Sequence, residues 1–221
     1  MTTLDGPRRP ARQAPADSLI VLVHGYGADG NDLIGLADAL APLLPRTAFA
    51  SPHAPHPCGM APAGREWFPL AGGDPSEHGR GVDAAAPLLD RFLDAECARA
   101  RVAPERLALV GFSQGTMMAL HVGLRRKPPL AALVGFSGQL VAPERLPREL
   151  TSPCPVLLVH GTADEVLPTE FTPMAAAAIA AAGGAAEWHL RPGLGHGIDP
   201  DGLAMAAGFL ARCLARRHPP R

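Results

Sequence analysis

An α/β fold, with a mostly parallel central sheet and helices on both faces, is what this 221-residue sequence predicts. Three observations carry the prediction. Short aliphatic and β-branched runs recur at 19–23, 107–112, 130–136 and 156–160, continuous rather than alternating, as strands buried on both faces require. Amphipathic or alanine-rich stretches of helical length lie between them. The two kinds of segment take turns along the chain, the order that yields parallel strands joined by crossover helices.

Composition narrows the class. A hydrophobic share of 47 % supports a sizeable core, and the length fits one domain, read here as 18–217 behind an extended arm at 1–17. The formal charge of −1, with no sustained run of one sign, leaves no footprint for nucleic acid or an acidic lipid surface. Arg8, Arg9 and Arg12 read as a solvated patch of the arm. No apolar run approaches the length that spans a bilayer, so no stable membrane insertion is expected, and the N-terminus lacks the apolar core of a signal peptide. Cys58, Cys97, Cys154 and Cys213 show neither C-x-x-C nor a Cys/His metal spacing. Reduced thiols in a cytoplasmic protein explain them best, with no metal site. No G-x-G-x-x-G follows a strand and there is no P-loop, so no nucleotide cofactor is expected.

Each element has a local reason. The arm is polar and rich in Pro and Arg, suited to an extended chain or an edge strand. The first core strand, 19–23, runs into His24-Gly-Tyr-Gly-Ala-Asp-Gly-Asn-Asp, a loop whose glycines allow close backbone approach. Asn31 or Asp32 can cap a helix at about 33–44, which Pro45 stops. A short strand at 47–50 precedes a proline-punctuated loop over 51–80, and so long a loop in a compact domain is usually functional. A helix is expected over 83–102, a strand over 107–112, a helix over 115–126 and a strand over 130–136. The connection 141–154, the strand 156–160 and an alanine-rich helix over 171–182, ended by Gly183-Gly184, follow. A last strand at 186–191 and a helix capped by Asp199, to about residue 216, complete the chain.

Chemistry centres on Gly111-Phe112-Ser113-Gln114-Gly115. An apolar strand leads into Ser113 and a helix leaves it at once, the context of the G-x-S-x-G nucleophile elbow. So tight a corner strains the serine backbone, the flanking glycines remove side chains that would clash, and the helix start aims free N–H groups at the reacting centre. The plainer alternative is a serine that caps a helix after a strand.

A serine hydroxyl needs a base, and the base needs a third group to hold its tautomer. On this architecture the chain order is Ser, then Asp or Glu, then His, at the C-terminal ends of parallel strands. Asp164 lies just past the strand 156–160, whereas Glu144, Glu149 and Glu170 sit in connections or on a helix, and Glu165 would face away. His196, between glycines after the last strand, is the best-placed base among nine histidines. His24 comes too early, His160 belongs to the Asp164 turn, His189 lies within a strand and His121 points away from the corner. His53, His56 and His78 lie in the long loop, and His218 in the tail. The oxyanion donors expected are the backbone N–H groups of Gln114 and Tyr26. Trp67 and Phe68 of the long loop, with Val166 and Leu167 beside Asp164, are expected to line an acyl pocket; core or dimer-interface packing is the competing role for the two aromatics. Gly135-Phe-Ser137-Gly imitates the elbow but has Gln139 where the second spaced glycine belongs, so Ser137 reads as structural.

These residues resemble the phospholipase/carboxylesterase family of α/β-hydrolases, which includes acyl-protein thioesterases and small bacterial carboxylesterases. The resemblance spans about residues 18–215 and rests on His24-Gly-Tyr-Gly-Ala-Asp-Gly-Asn-Asp-Leu, Trp67-Phe68, Gly111-Phe-Ser-Gln-Gly, His160-Gly-Thr-Ala-Asp-Glu-Val-Leu-Pro and Gly195-His196-Gly. It implies the same nucleophile, acid and base at Ser113, Asp164 and His196, and the same donors at Tyr26 and Gln114. It also implies a cytosolic, cofactor-free, often homodimeric enzyme. Two departures, Gly-Tyr-Gly where eukaryotic thioesterases have Gly-Leu-Gly and Thr116 where a glycine is often seen, favour a bacterial-type carboxylesterase over a dedicated depalmitoylase. Short to medium acyl esters are the substrates expected, since the only candidate cover is the proline-limited loop 51–80 rather than a helical lid. A lysophospholipase or acyl-protein thioesterase is the alternative. A serine hydrolase of another bond, or a hydrolase fold that only binds, are further classes; the intact triad speaks against the last.

Overall fold

Two apolar cores, one on each face of a seven-stranded sheet, organise the chain. The computed structural model describes residues 3–70, 75–151 and 153–215. The elements in chain order are β1 (Arg8–Arg9), β2 (Ser18–Val23), α1 (Gly30–Leu33), α2 (Leu36–Leu40), β3 (Thr47–Ala50), β4 (His56–Pro57), β5 (Arg65–Glu66) and α3 (Pro75–Ala100). Then come β6 (Leu107–Phe112), α4 (Gln114–Gly123), β7 (Ala132–Phe136), α5 (Leu146–Glu149), β8 (Val156–Gly161), α6 (Phe171–Ala181), β9 (Ala186–Arg191) and α7 (Pro200–Ala215). The sheet order is β1-β3-β2-β6-β7-β8-β9, parallel throughout except for β1, which pairs antiparallel with β3. This is the mostly parallel α/β architecture expected from the alternation of segments.

The period of two along each strand decides which core a side chain enters. Leu19, Val21 and Val23 of β2 pack with α3, α4 and α6, while Ile20 and Leu22 pack with α1, α2 and α7. The strands β6, β7 and β8 divide in the same way, Leu109, Leu133 and Leu158 on one side and Val110, Val134 and Val159 on the other. Their continuous aliphatic runs follow from burial on both faces. The edge strand β9 has no buried residue, and polar residues interrupt its apolar run.

Three expectations are corrected. The helix expected at 33–44 is two short pieces, α1 and α2, separated at Ile34 and Gly35. A glycine there and Pro42 shortly after the second piece both work against a continuous helix. The cap of α1 is Asp29, whose carboxylate accepts Asn31 N–H at 2.7 Å, rather than Asn31 or Asp32. The helix expected from 83 begins at Pro75, a residue suited to a first helical turn, so the loop 51–80 is shorter than it reads and holds the β4–β5 hairpin. Gly81 lets α3 lie on Phe68, whose ring a Cβ there would meet at 2.6 Å. The expected end of the last helix at 216 lies outside the described residues.

Candidate active site

Ser113 stands at the corner between β6 and α4 with φ 53° and ψ −119°, a conformation that a side chain other than glycine's rarely adopts. The sequence around it makes the corner feasible. A Cβ on Gly115 would lie 1.9 Å from the Val23 carbonyl oxygen, and one on Gly111 would lie 2.5 Å from the Gly115 carbonyl oxygen. The corner is held by Ser113 N–H donating to the Phe136 carbonyl at 2.9 Å, a bond to the neighbouring strand β7. The loop after β2 comes close on the other side: a Cβ on Gly25 would meet the Ser113 Cβ at 3.3 Å. Among the described residues Tyr26 N–H finds no acceptor, and Gln114 N–H is in the first turn of α4, where no intrahelical acceptor exists.

Asp164 follows β8, and His196 follows β9, the adjacent strand. Their loops are laced together by Ala163 N–H to the Leu194 carbonyl at 2.9 Å and by Gly193 N–H to Thr162 Oγ1 at 2.8 Å. Asp164 Oδ2 lies 2.7 Å from His196 Nδ1 and 3.0 Å from His160 Nε2, while Oδ1 accepts the Val166 and Leu167 N–H groups at 2.9 Å each. The carboxylate side chain is fully buried. Burial alone would push its pKa up, but the Leu167 N–H, the His196 ring and the Val166 N–H outweigh that and hold it below the usual value. The His196 ring leans on Phe112, with centroids 4.9 Å apart, which brings it beside the residue that precedes Ser113. Among the described residues no hydrogen bond joins Ser113 Oγ to His196; such contacts commonly tighten only with substrate bound.

Three other histidines, His24, His121 and His160, are buried against structural partners. His24 is fully buried, with Nδ1 2.8 Å from the Gly25 carbonyl and Nε2 accepting Ala54 N–H at 3.0 Å, and burial pushes its pKa down to about 4. His121 is buried beside Asp83 and its pKa is likewise pushed down to about 4, chiefly by burial. His160 is a buried partner of the Asp164 carboxylate, tied also to Thr172 Oγ1 at 2.8 Å. Ser137 sits at the end of β7 with φ 43°, its N–H bonded to the Val159 carbonyl and its buried hydroxyl without a partner among the described residues.

The pocket expectation needs correction. Trp67 and Phe68 present no open wall, being 0 % and 2 % exposed in the core. An indole N–H seldom stays unpaired when buried, and that of Trp67 donates to the His24 carbonyl at 3.0 Å. Val166 is 64 % exposed, whereas Leu167 lines an apolar cavity. An apolar cavity of about 650 Å³ lies between α6 and the 139–143 connection, lined by Leu167, Phe171, Met174, Ala178, Leu140 and Val141 among others. Phe171, Met174 and the 139–143 turn were missed because nothing in sequence marks a half-buried helix face as a pocket wall. Tyr26 is not among the residues that line that cavity, and the neighbouring Cys58 thiol and Glu66 carboxylate raise the pKa of its phenol.

Several known proteins share this arrangement of chain. A family model described as phospholipase/carboxylesterase matches residues 9–214. The crystal structure of esterase PE8 is 45 % identical, with a TM-score of 0.93, and the match covers 96 % of this chain and 100 % of that one. Esterase YpfH of Escherichia coli is 29 % identical over 205 residues, 92 % of this chain and 86 % of that protein. Acyl-protein thioesterase 1 of Gibberella zeae is 28 % identical over 224 residues, 91 % of each. Among the described residues no helix is long and apolar enough to cross a membrane.

Proposed function

This chain belongs to the phospholipase/carboxylesterase family, and we propose that it is a serine carboxylesterase acting on short to medium acyl esters through an acyl-enzyme. Ser113 Oγ attacks the ester carbonyl carbon while His196 Nε2 takes its proton. Asp164 keeps the other ring nitrogen protonated and steadies the imidazolium that forms. The oxyanion is met by Tyr26 N–H and Gln114 N–H. Collapse breaks the bond to the alcohol oxygen, which takes its proton from His196, and a water activated by the same ring then releases the acid. The observation that carries this reading is the 2.7 Å contact of His196 Nδ1 with a buried carboxylate, beside a serine held at positive φ.

The acyl chain is assigned to the cavity walled by Leu167 and Phe171. It adjoins the site: Leu167 N–H is bonded to Asp164, and a Cβ on Gly138, next to Gln139 of the cavity wall, would lie 3.0 Å from the Ser113 carbonyl oxygen. Each acyl methylene buried there contributes about 0.8 kcal/mol, so activity rises over the first carbons and falls where the cavity ends. A reducing cytosol suits the buried thiols Cys58, Cys97 and Cys154. The thioesterase reading draws on the Gibberella zeae relative. Rates on p-nitrophenyl esters from acetyl to palmitoyl, against matched acyl thioesters, separate the two, and a maximum at palmitoyl thioester would replace the short-ester reading. Ser113→Ala should lower turnover by about 10⁶-fold with the fold retained. Near-native turnover in that variant, with Ser137→Ala inactive, would move the nucleophile to Ser137.

A further inference from the structure

The Gln114 side chain, apart from its backbone N–H, is wholly buried under the segment 65–68 and uses both ends of its amide. Oε1 accepts Trp67 N–H at 3.0 Å and Nε2 donates to the Phe68 carbonyl at 2.7 Å. The same segment grips the loop after β2. Gly27 N–H donates to the Arg65 carbonyl at 2.9 Å, Arg65 N–H to the Ala28 carbonyl at 2.8 Å, and the Trp67 indole N–H to the His24 carbonyl at 3.0 Å. Three residues of this short segment, Arg65, Trp67 and Phe68, thus bond on one side to the loop that carries Tyr26 N–H and on the other to the helix start that carries Gln114 N–H.

We infer that the Gln114 carboxamide is a positioning residue that, through the 65–68 segment, fixes the spacing and aim of the two oxyanion donors. The inference rests on the esterase reading of the site. An oxyanion hole is effective because its donors are fixed before charge develops. A loop and a helix start have no intrinsic reason to keep a constant separation, and an error of about 1 Å can cost about 100-fold in rate. The splint requires an acceptor at one end and a donor at the other, which a neutral amide supplies and methionine or a carboxylate does not. Trp67, expected in sequence to touch substrate, acts here through its two N–H groups instead.

The test uses the full chain carrying Gln114→Met or Gln114→Glu. Readouts are kcat and KM on p-nitrophenyl butyrate, affinity for phenylboronic acid, and circular dichroism. The boronic acid forms a B–O bond to Ser113 Oγ, whose proton passes to His196, and the resulting anionic tetrahedral boronate sets one of its hydroxyl oxygens where the oxyanion develops. For Gln114→Met the expected result is a kcat lower by about 10- to 100-fold, KM within about twofold, and boronate affinity weaker by a similar factor. For Gln114→Glu, a protonated carboxyl can accept from Trp67 N–H and donate to the Phe68 carbonyl, and burial raises its pKa. Its kcat relative to wild type should therefore be highest at low pH and fall as pH rises, with an unchanged dichroism spectrum. If the methionine variant does not fold, that pH ratio decides. Both variants within about twofold of wild type in kcat and boronate affinity, with Ser113→Ala inactive, would overturn the positioning role and leave the esterase reading intact. An active Ser113→Ala would overturn both.

Discussion

Replacing Asp164 by asparagine removes one charge and almost no volume, and the structure says what else it changes. Oδ1 faces two N–H donors, Val166 and Leu167, so the amide oxygen of the variant must stay there. The NH₂ group is then forced onto the Oδ2 side, towards His196 Nδ1 and His160 Nε2. Facing a donor, His196 Nδ1 becomes an acceptor and its proton moves to Nε2, the nitrogen that in the proposed mechanism receives the Ser113 proton. A wrong tautomer of this kind costs about 10⁴-fold in kcat in a Ser-His-Asp enzyme, or about 5.5 kcal/mol at 1.36 kcal/mol per decade. His160 adds a separate stability cost. Its Nε2 lies between Asp164 Oδ2 at 3.0 Å and the Leu167 carbonyl at 3.2 Å, so it carries the proton and would meet the new NH₂ donor to donor. A buried mismatch of that sort costs about 1–3 kcal/mol, and each kcal/mol lowers Tm by roughly 2–4 °C in a chain of this size. The assay is initial rates on p-nitrophenyl butyrate at 25 °C, with dichroism melts on the same samples. A folded Asp164→Asn protein that loses less than about tenfold in kcat/KM at pH 7–8 would refute the tautomer reasoning. An unchanged Tm would refute the part assigned to His160.

Three further outcomes are expected. Gly115→Ala should destabilise by about 3 kcal/mol or more, because its Cβ would sit 1.9 Å from a strand carbonyl rather than from a movable side chain; a Tm within about 2 °C of wild type would contradict the close approach. The histidines buried neutral give the pH dependence its sign. His24 and His121 titrate near 4 when folded and near 6.5 when unfolded, so nothing is lost above pH 6.5. As pH falls below that, the unfolded chain binds protons the folded chain refuses, and at pH 5 the loss is about 2 kcal/mol for each histidine; equal urea midpoints at pH 7.5 and 5 would refute it. Ala178→Phe, which fills part of the cavity beside Leu167, should shift the preferred acyl length to shorter esters with little change in acetyl ester turnover; an unchanged chain-length profile would remove that cavity from the substrate path.

Sequence alone determined the elements whose cause is local or periodic. The buried strands were legible because both faces are covered, which turns alternation into the continuous runs at 19–23 and 156–160. The elbow was legible because one strained residue demands small neighbours at fixed offsets, Gly111 and Gly115. Asp164 and His196 could be picked out because parallel strands end on one edge of the sheet, and loops just past β8 and β9 are adjacent there. Tertiary structure decided what depends on partners distant in sequence. Trp67 reads as a pocket aromatic until its indole N–H is seen to serve the His24 carbonyl, 43 residues away. The Gln114 amide reads as one polar residue at a helix start until the 65–68 segment closes over it, 47 residues earlier in the chain. The cavity wall on α6 has no signature, because a half-buried helix face looks the same in sequence whether a neighbour or a substrate covers it. Periodicity reports which side of an element is covered, and only the packed chain tells by what.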